Sequence, residues 1–435
     1  MNAAATGADE YAELGRTAYA MIEEMYPICR SITGQGVRDT LDILQRRIPL
    51  TRVEIASGTQ VFDWTIPLEW SIAEAWIKDA SGKRIVDFHD HNLHVVNYSA
   101  PVRSRMPLAQ LRPHLHALPA HPDWIPYRTS YYRESWGFCL TQRQYDALPD
   151  GEYEVCIDSR LAPGSLTLAE CVVAGAVADE VLIYAHDCHP SLCNDNLAAL
   201  SLATLLAQRR AQASSRHYTW RFVFAPATIG SIAWLHRNEA RVASIRHGLV
   251  LASLGDRGGL TYKRSRRGNA TIDRVCEHVV ASRDAGSSED FSPYGYDERQ
   301  FCSPGFNLPV GRLTRTPNGR YPEYHTSADN LDFVTPQALA DSLRACEEIL
   351  AMLDSNACYL NLSPKCEPRL GPRGLYNLVG GHGPGDFEQA LLWVLNQSDG
   401  EHDLLAIARK SRLDYDLVAS AAAALVNAQL LRRLA

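Results

Sequence analysis

The stretch EVLIYAHDCHPSLCNDNLAALSLATLLAQRRA, residues 180–211, decides how this chain folds. Its first part is an unbroken apolar run ending in polar residues at His186, which reads as a strand buried on both faces. Its second part is a long alanine- and leucine-rich segment, which reads as a buried helix. The same alternation continues downstream, with the apolar run WRFVFAP (220–226), the helical SIAWLHRNEARVA (231–243) and a third apolar run, HGLVLASLG (247–255). Strands alternating with helices predict an α/β fold with a mainly parallel sheet flanked by helices. In such sheets ligands bind beyond the carboxyl ends of the strands, where His186 and its polar neighbours fall.

Outward from this core the texture changes. Before it, Glu10 to Arg47 has apolar residues at helical spacing (Leu14, Ala18, Ile22 and Met25, then Leu41 and Leu44) around PICRSITGQG, predicting two helices joined by a loop. From about Leu50 to Ala174 short strand-like runs such as RVEIAS, RIVDF and YEVCIDS are separated by turn signals, which predicts an inserted β-rich domain. After the helical PQALADSLRACEEILAML (336–353), the Pro/Gly-rich SPKCEPRLGPRGLYNLVGGHGPGD (363–386) leads into three short helical patterns, the signature of a winged-helix-like tail.

Composition narrows the function classes. The 435 residues are 46% hydrophobic and 21% charged with a net charge of -7, as in a globular protein with no overall attraction for nucleic acid or anionic membranes. The run Lys263 to Arg267 is read as a solvated basic loop. No apolar stretch is long enough to span a bilayer, and MNAAATGADEYAELG has no leader pattern, so the expected location is cytoplasmic. Eleven cysteines without CxxC spacing fit reduced thiols.

The densest chemistry lies in His186-Asp187-Cys188-His189 and Asn194-Asp195-Asn196. Imidazoles and carboxylates at a strand's end can converge on one divalent ion, which neutralises the charge they would otherwise bury. A second polar loop, Tyr321 to Asn330, carries His325. A rival cluster, Asp87-Phe88-His89-Asp90-His91, would put its histidines on one strand face but is read as a polar turn.

Taken together, the strings HDCHPSLCNDN (186–196), PATIGSI (226–232), DERQFCSPGFNLPV (297–310) and PEYHTSADN (322–330) resemble the M28 zinc aminopeptidases. The resemblance is closer to a bacterial group of aminopeptidase-like proteins with DUF4910 and DUF2172 domains and a C-terminal winged helix. It extends into the insert through WTIPLEW, NLHVVNYSAPV, WIPYRTSYY and WGFCLT. It implies one or two Zn2+ ions held by His186 or its rival His189, by Asp195 as the bridging carboxylate, by Asp256 and by His325.

One departure matters. Where the related enzymes place glutamates after the second strand, this chain has Ala227. A methyl group neither binds metal nor accepts a proton, and losing a positioned general base costs about 10²- to 10⁴-fold in rate. Glu298 and Glu323 are the candidate replacements, while Asp297, Arg299 and Tyr324 are candidate substrate contacts. The expected layout is an aminopeptidase-like domain at 1–50 and 175–360, an insert at 51–174 and a helical tail at 361–435. The leading function is zinc-dependent hydrolysis of a peptide or aminoacyl amide in a specialised biosynthetic pathway. The alternative is a catalytically silent binding protein. The tail helix read at Asp416 to Leu431 lacks basic residues, which argues against nucleic acid and for a homo-oligomer or pathway-protein contact.

Overall fold

The computed structural model describes residues 3–375 and 385–434. The chain divides into two compact units, 1–348 and 349–435.

The larger unit is built on an eight-stranded sheet. Four neighbouring strands at its centre, Thr219–Ala225, Glu180–His186, Ile245–Leu251 and Val310–Thr314, are mutually parallel. Every residue of Glu180–His186 is buried, because helices cover both faces of the sheet. Ala198–Gln212 is buried at every position from Ala198 to Ala207, which accounts for its small side chains. Tyr184, Val223, Val250 and Val310 share one core cluster with Trp234 and Phe301.

The insert is narrower than its strand-like texture implies. Ser165–Val173 pairs antiparallel with Thr219–Ala225, and Thr51–Ala56 pairs antiparallel with Ser165–Val173 at the edge of the main sheet. Alternation reports that a segment is a half-buried strand and does not name its partner, so the limits 51–174 took in two strands of the main sheet. The insert proper carries a separate antiparallel sheet of Arg84–Asp87, Glu69–Lys78, Glu152–Ala162 and Val102–Pro107. A short hairpin, Gln60–Val61 with Trp64–Thr65, precedes it.

In the smaller unit, helices Asp386–Gln397, Leu404–Ser411 and Tyr415–Asn427 pack with a three-stranded sheet of Asp399–Asp403, Cys358–Asn361 and Leu431–Arg433. This is a winged-helix arrangement. It starts earlier than residue 361, because the end of helix Pro336–Ser355 belongs to it. The last helix stops at Asn427 rather than at Leu431: Gln429 is left-handed (φ 57°), and buried Leu431 opens a strand. The Pro/Gly-rich link read at 363–386 lies partly outside the described residues.

A buried ion cluster fixes the strand starts. Arg221 bonds both oxygens of Glu180 (2.7 and 2.9 Å) and one of Glu170 (2.5 Å). Glu180→Ala takes two charge-assisted bonds from Arg221 but leaves it Glu170, so it is expected to cost about 2 kcal/mol, read by denaturant titration. Glu13→Ala, which removes an exposed pair with Arg16, is expected to cost under about 1 kcal/mol.

Candidate metal centre

His186 ends its strand fully buried, and Asp195 lies in the irregular turn that opens helix Ala198–Gln212. His186 Nε2 is 3.0 Å from Asp195 Oδ1, and His325 Nε2 is 3.1 Å from Asp195 Oδ2. The two carboxylate oxygens thus address two imidazoles. His189 completes the group: it, His186 and Asp195 bring ligand atoms within 4.8 Å of one another. Both rival histidines are therefore at the site, and the turn at Cys188-His189-Pro190 folds back far enough to bring their rings 4.8 Å apart.

The surroundings hold this arrangement. Asp329 accepts from the Asn194 and Asp195 N–H groups (2.6 and 3.0 Å), orienting the turn. His325 is left-handed (φ 58°), its ring stacks on Tyr324 at 3.9 Å, and its carbonyl accepts from Tyr127 N–H (2.8 Å). Tyr127 also lies edge-on to His189, and Tyr296 stacks on His186. The Asn196 amide is oriented by Leu251 C=O and Ser253 N–H, leaving its Nδ2 3.1 Å from His186 Nδ1. That orientation makes Nδ1 the acceptor and puts the imidazole proton on Nε2, facing Asp195.

Burial and partners set the charges. Burial lowers the His186 pKa, but the Asp195 carboxylate outweighs it and the net shift is upward. Burial would raise Asp195, yet His189 and the bonds from His186 and His325 hold it well below the carboxylate range. Burial drives His189 down, favouring the neutral, metal-ligating imidazole. Asp187 is pushed up to about 8 by burial, against the pull of His186 and Arg30, and neither of its oxygens has a protein partner. Two or three neutral or anionic donors around buried, under-compensated carboxylates are a donor set that fits a divalent cation.

Other expected site residues lie elsewhere. Asp256 spends both oxygens on Asn194, Gly258 and Thr316, so it supports the neighbouring loop and does not join the ligand group. Glu298 is fully buried against Lys263 (2.9 Å), with Arg312 at 3.7 Å, so its charge is already matched by cations. The same contact removes Lys263 from the solvated loop expected there: it is 2% exposed. Glu323 holds Thr326 through its backbone carbonyl. Asp297 is buried, accepting from Thr228 N–H (2.8 Å) and Ser231 Oγ (2.6 Å) with Oδ1, while Oδ2 has no partner. It is therefore a buried carboxylate beside Ala227 rather than an exposed anchor. Arg299 is half-buried, with Nε lacking a protein partner. In the rival cluster, Asp87 bonds Arg84 and His89, and His91 caps a turn through Leu93 N–H.

Sequence reasoning missed the aromatic wall of Tyr127, Tyr131 and Tyr296. For Tyr127 and Tyr131 the signal lay in WIPYRTSYY, but the place of Tyr127 against His189 and His325 shows only in the folded chain.

Comparison with known proteins agrees with this architecture. The profile of DUF4910, a domain of unknown function, matches residues 19–356, and a winged helix-turn-helix profile matches 357–433. A Clostridium acetobutylicum protein named for polysaccharide biosynthesis and an aminopeptidase-like domain is 48% identical over 424 residues, 97% of each chain. A crystal structure from that organism, described as a peptidase, superposes with a TM-score of 0.92 at 47% identity over 98% of each chain. A zinc aminopeptidase from Bacillus subtilis shares the fold, with a TM-score of 0.58 at 12% identity, over 78% of this chain and 94% of that one.

A protonated His186 offers no lone pair to a metal, so protons and zinc compete for the ring. Zinc affinity, measured by competition with a chromophoric chelator, is expected to rise with pH through the raised His186 pKa and then level off. His186→Ala and Asp195→Ala are expected to lose the ion, whereas Asp256→Asn is expected to keep it.

Proposed function

For this chain, which belongs to the DUF4910 family and carries a winged-helix tail, we propose zinc-dependent hydrolysis of an amide bond next to a free amino group. The observation that supports this reading best is Asp195, which offers one oxygen to the His186 side of the cleft and the other to His325. Zinc, when bound, polarises a carbonyl and lowers the pKa of water. The chain's own groups orient the ligands through Asp329 and Tyr324 and limit water around the imidazoles through Tyr127 and Tyr296.

Proton transfer needs a carboxylate that Ala227 does not supply. Asp297 is the best-placed replacement for the expected Glu298 and Glu323, because its free Oδ2 lies on the carboxyl that holds Thr228, next to Ala227. Asp187, with two unpartnered oxygens, is the second. The name of the Clostridium relative supports a substrate made during polysaccharide assembly, such as an aminoacylated sugar. Eleven cysteines without CxxC spacing fit a reducing, cytoplasmic setting. Among the described residues no helix is long and apolar enough to cross a membrane. Helix Tyr415–Asn427 has no basic residue, which supports a protein contact over DNA for the tail.

The second reading is a binding protein that has kept the fold without the chemistry, and Ala227 is the observation that favours it. The two separate on turnover of aminoacyl amides by zinc-loaded protein. Slow release of free amino acid, abolished in Asp195→Ala and raised about a hundredfold in Ala227→Glu, is the expected outcome. Zinc-loaded wild type and Ala227→Glu both without turnover would leave the binding protein.

A further inference from the structure

The hairpin of residues 60–65 turns through Phe62 and Asp63, with Gln60 Nε2 donating to the Phe62 carbonyl (2.6 Å). Phe62 is left-handed (φ 53°), a conformation that two-residue hairpin turns normally give to glycine, asparagine or aspartate. Tyr132 stands at the third position of a turn closed by Arg133 N–H to Ser130 C=O (3.1 Å), and it too is left-handed (φ 61°). That is another place where glycine is the unstrained choice. Two bulky aromatics thus occupy backbone positions that sterics disfavour.

Neither ring is there to fill the core. Phe62 is 42% exposed, Tyr132 50% and Trp64, beside Phe62 in the hairpin, 38%. Trp64 and Tyr132 meet edge to face at 5.2 Å, and Phe62 packs edge-on to His236 (5.0 Å) on the helix that follows Ala227. Edge-to-face contacts leave ring faces open to solvent. Phe62 also packs edge-on to Phe306 (5.8 Å), and these contacts seat the rings on one side only; strained aromatic positions left this exposed mark a binding role.

This ledge adjoins the metal centre. Val61 and Ile66 of the hairpin segment pack in one cluster with Cys188, and Ala227 packs against it. Tyr131, next to Tyr132, bonds the Tyr127 hydroxyl (2.9 Å), and the Tyr127 ring touches His189 and His325. An open ledge flanked by the exposed charged residues Asp63, Arg133 and Glu134 suits a ligand with one apolar face and a hydroxylated rim. A peptide's aliphatic side chain gains most from an enclosed pocket, which three exposed rings do not provide.

Resting on the hydrolase reading above, we propose that Phe62, Trp64 and Tyr132 form a sugar-binding ledge that stacks a pyranose ring of the substrate beside the metal centre. Weakly positive ring C–H groups face the electron-rich aromatic faces, while hydroxyls stay hydrated or reach the polar rim. The ledge selects carbohydrate-linked amides over plain peptides.

The test applies full-length protein to an array of bacterial polysaccharide repeat units and, in parallel, to an array of short peptides. Wild type is expected to retain a subset of the glycans, with binding reduced about tenfold in Trp64→Ala and in Tyr132→Gly. Glycine keeps the left-handed backbone of residue 132, so Tyr132→Gly is expected to leave the melting temperature unchanged or raised, separating recognition from folding. Retention is read as binding and needs no turnover, which keeps the ledge testable if hydrolysis fails. No glycan retained by wild type, equal retention by the ledge variants, or ledge-dependent capture of apolar peptides alone would overturn the proposal.

Discussion

The carboxylate of Asp195 is buried among three histidines, and burying a charge is tolerated only when partners surround it. Its two oxygens face His186 and His325, which come from segments far apart in the chain. Asp329 fixes the turn from behind, through the N–H groups of Asn194 and Asp195. Asn196 ties the same turn to the ends of two parallel strands through His186 and Leu251. The sheet edge, the helix start and the late loop are all positioned by the need to compensate one anion.

Around this centre the balance is incomplete. Asp187 has two unpartnered oxygens and Asp297 one, while the position next to them, Ala227, contributes only a methyl group. A buried carboxylate without a partner is costly unless it is protonated or faces a cation. The excess of acceptors fits the divalent cation proposed for the site. Glu298 differs because Lys263 and Arg312 already neutralise it. Its proximity in sequence to Asp297 therefore does not translate into a shared role.

The insert is part of the site. Tyr127 N–H bonds the His325 carbonyl, Ser327 N–H bonds the Ile125 carbonyl, and Ser327 Oγ accepts from Ile125 N–H. These bonds stitch the insert to the late loop and hold the left-handed His325 in place. The hairpin of residues 60–65 packs beside the same cleft, so the insert brings aromatic surface to the candidate metal centre that the core sheet alone would leave open.

Local patterning sufficed for the alternating core, the winged-helix tail and the cluster at 186–196, because buried strands, amphipathic helices and ligand-type residues leave marks within a few positions. The expected ligand role of His325 and the expected loss at Ala227 came from family resemblance, since one loop histidine or one alanine carries no chemistry of its own. Tertiary structure decided what depends on distance and direction. It brought His186 and His189 together through a turn, placed Asp256 against Thr316, matched Glu298 with Lys263, and assigned Thr51–Ala56 and Ser165–Val173 to the main sheet. A sequence states which groups are available and with what periodicity. Which carboxylate faces an imidazole and which a lysine is fixed only when segments distant along the chain pack together and desolvate them.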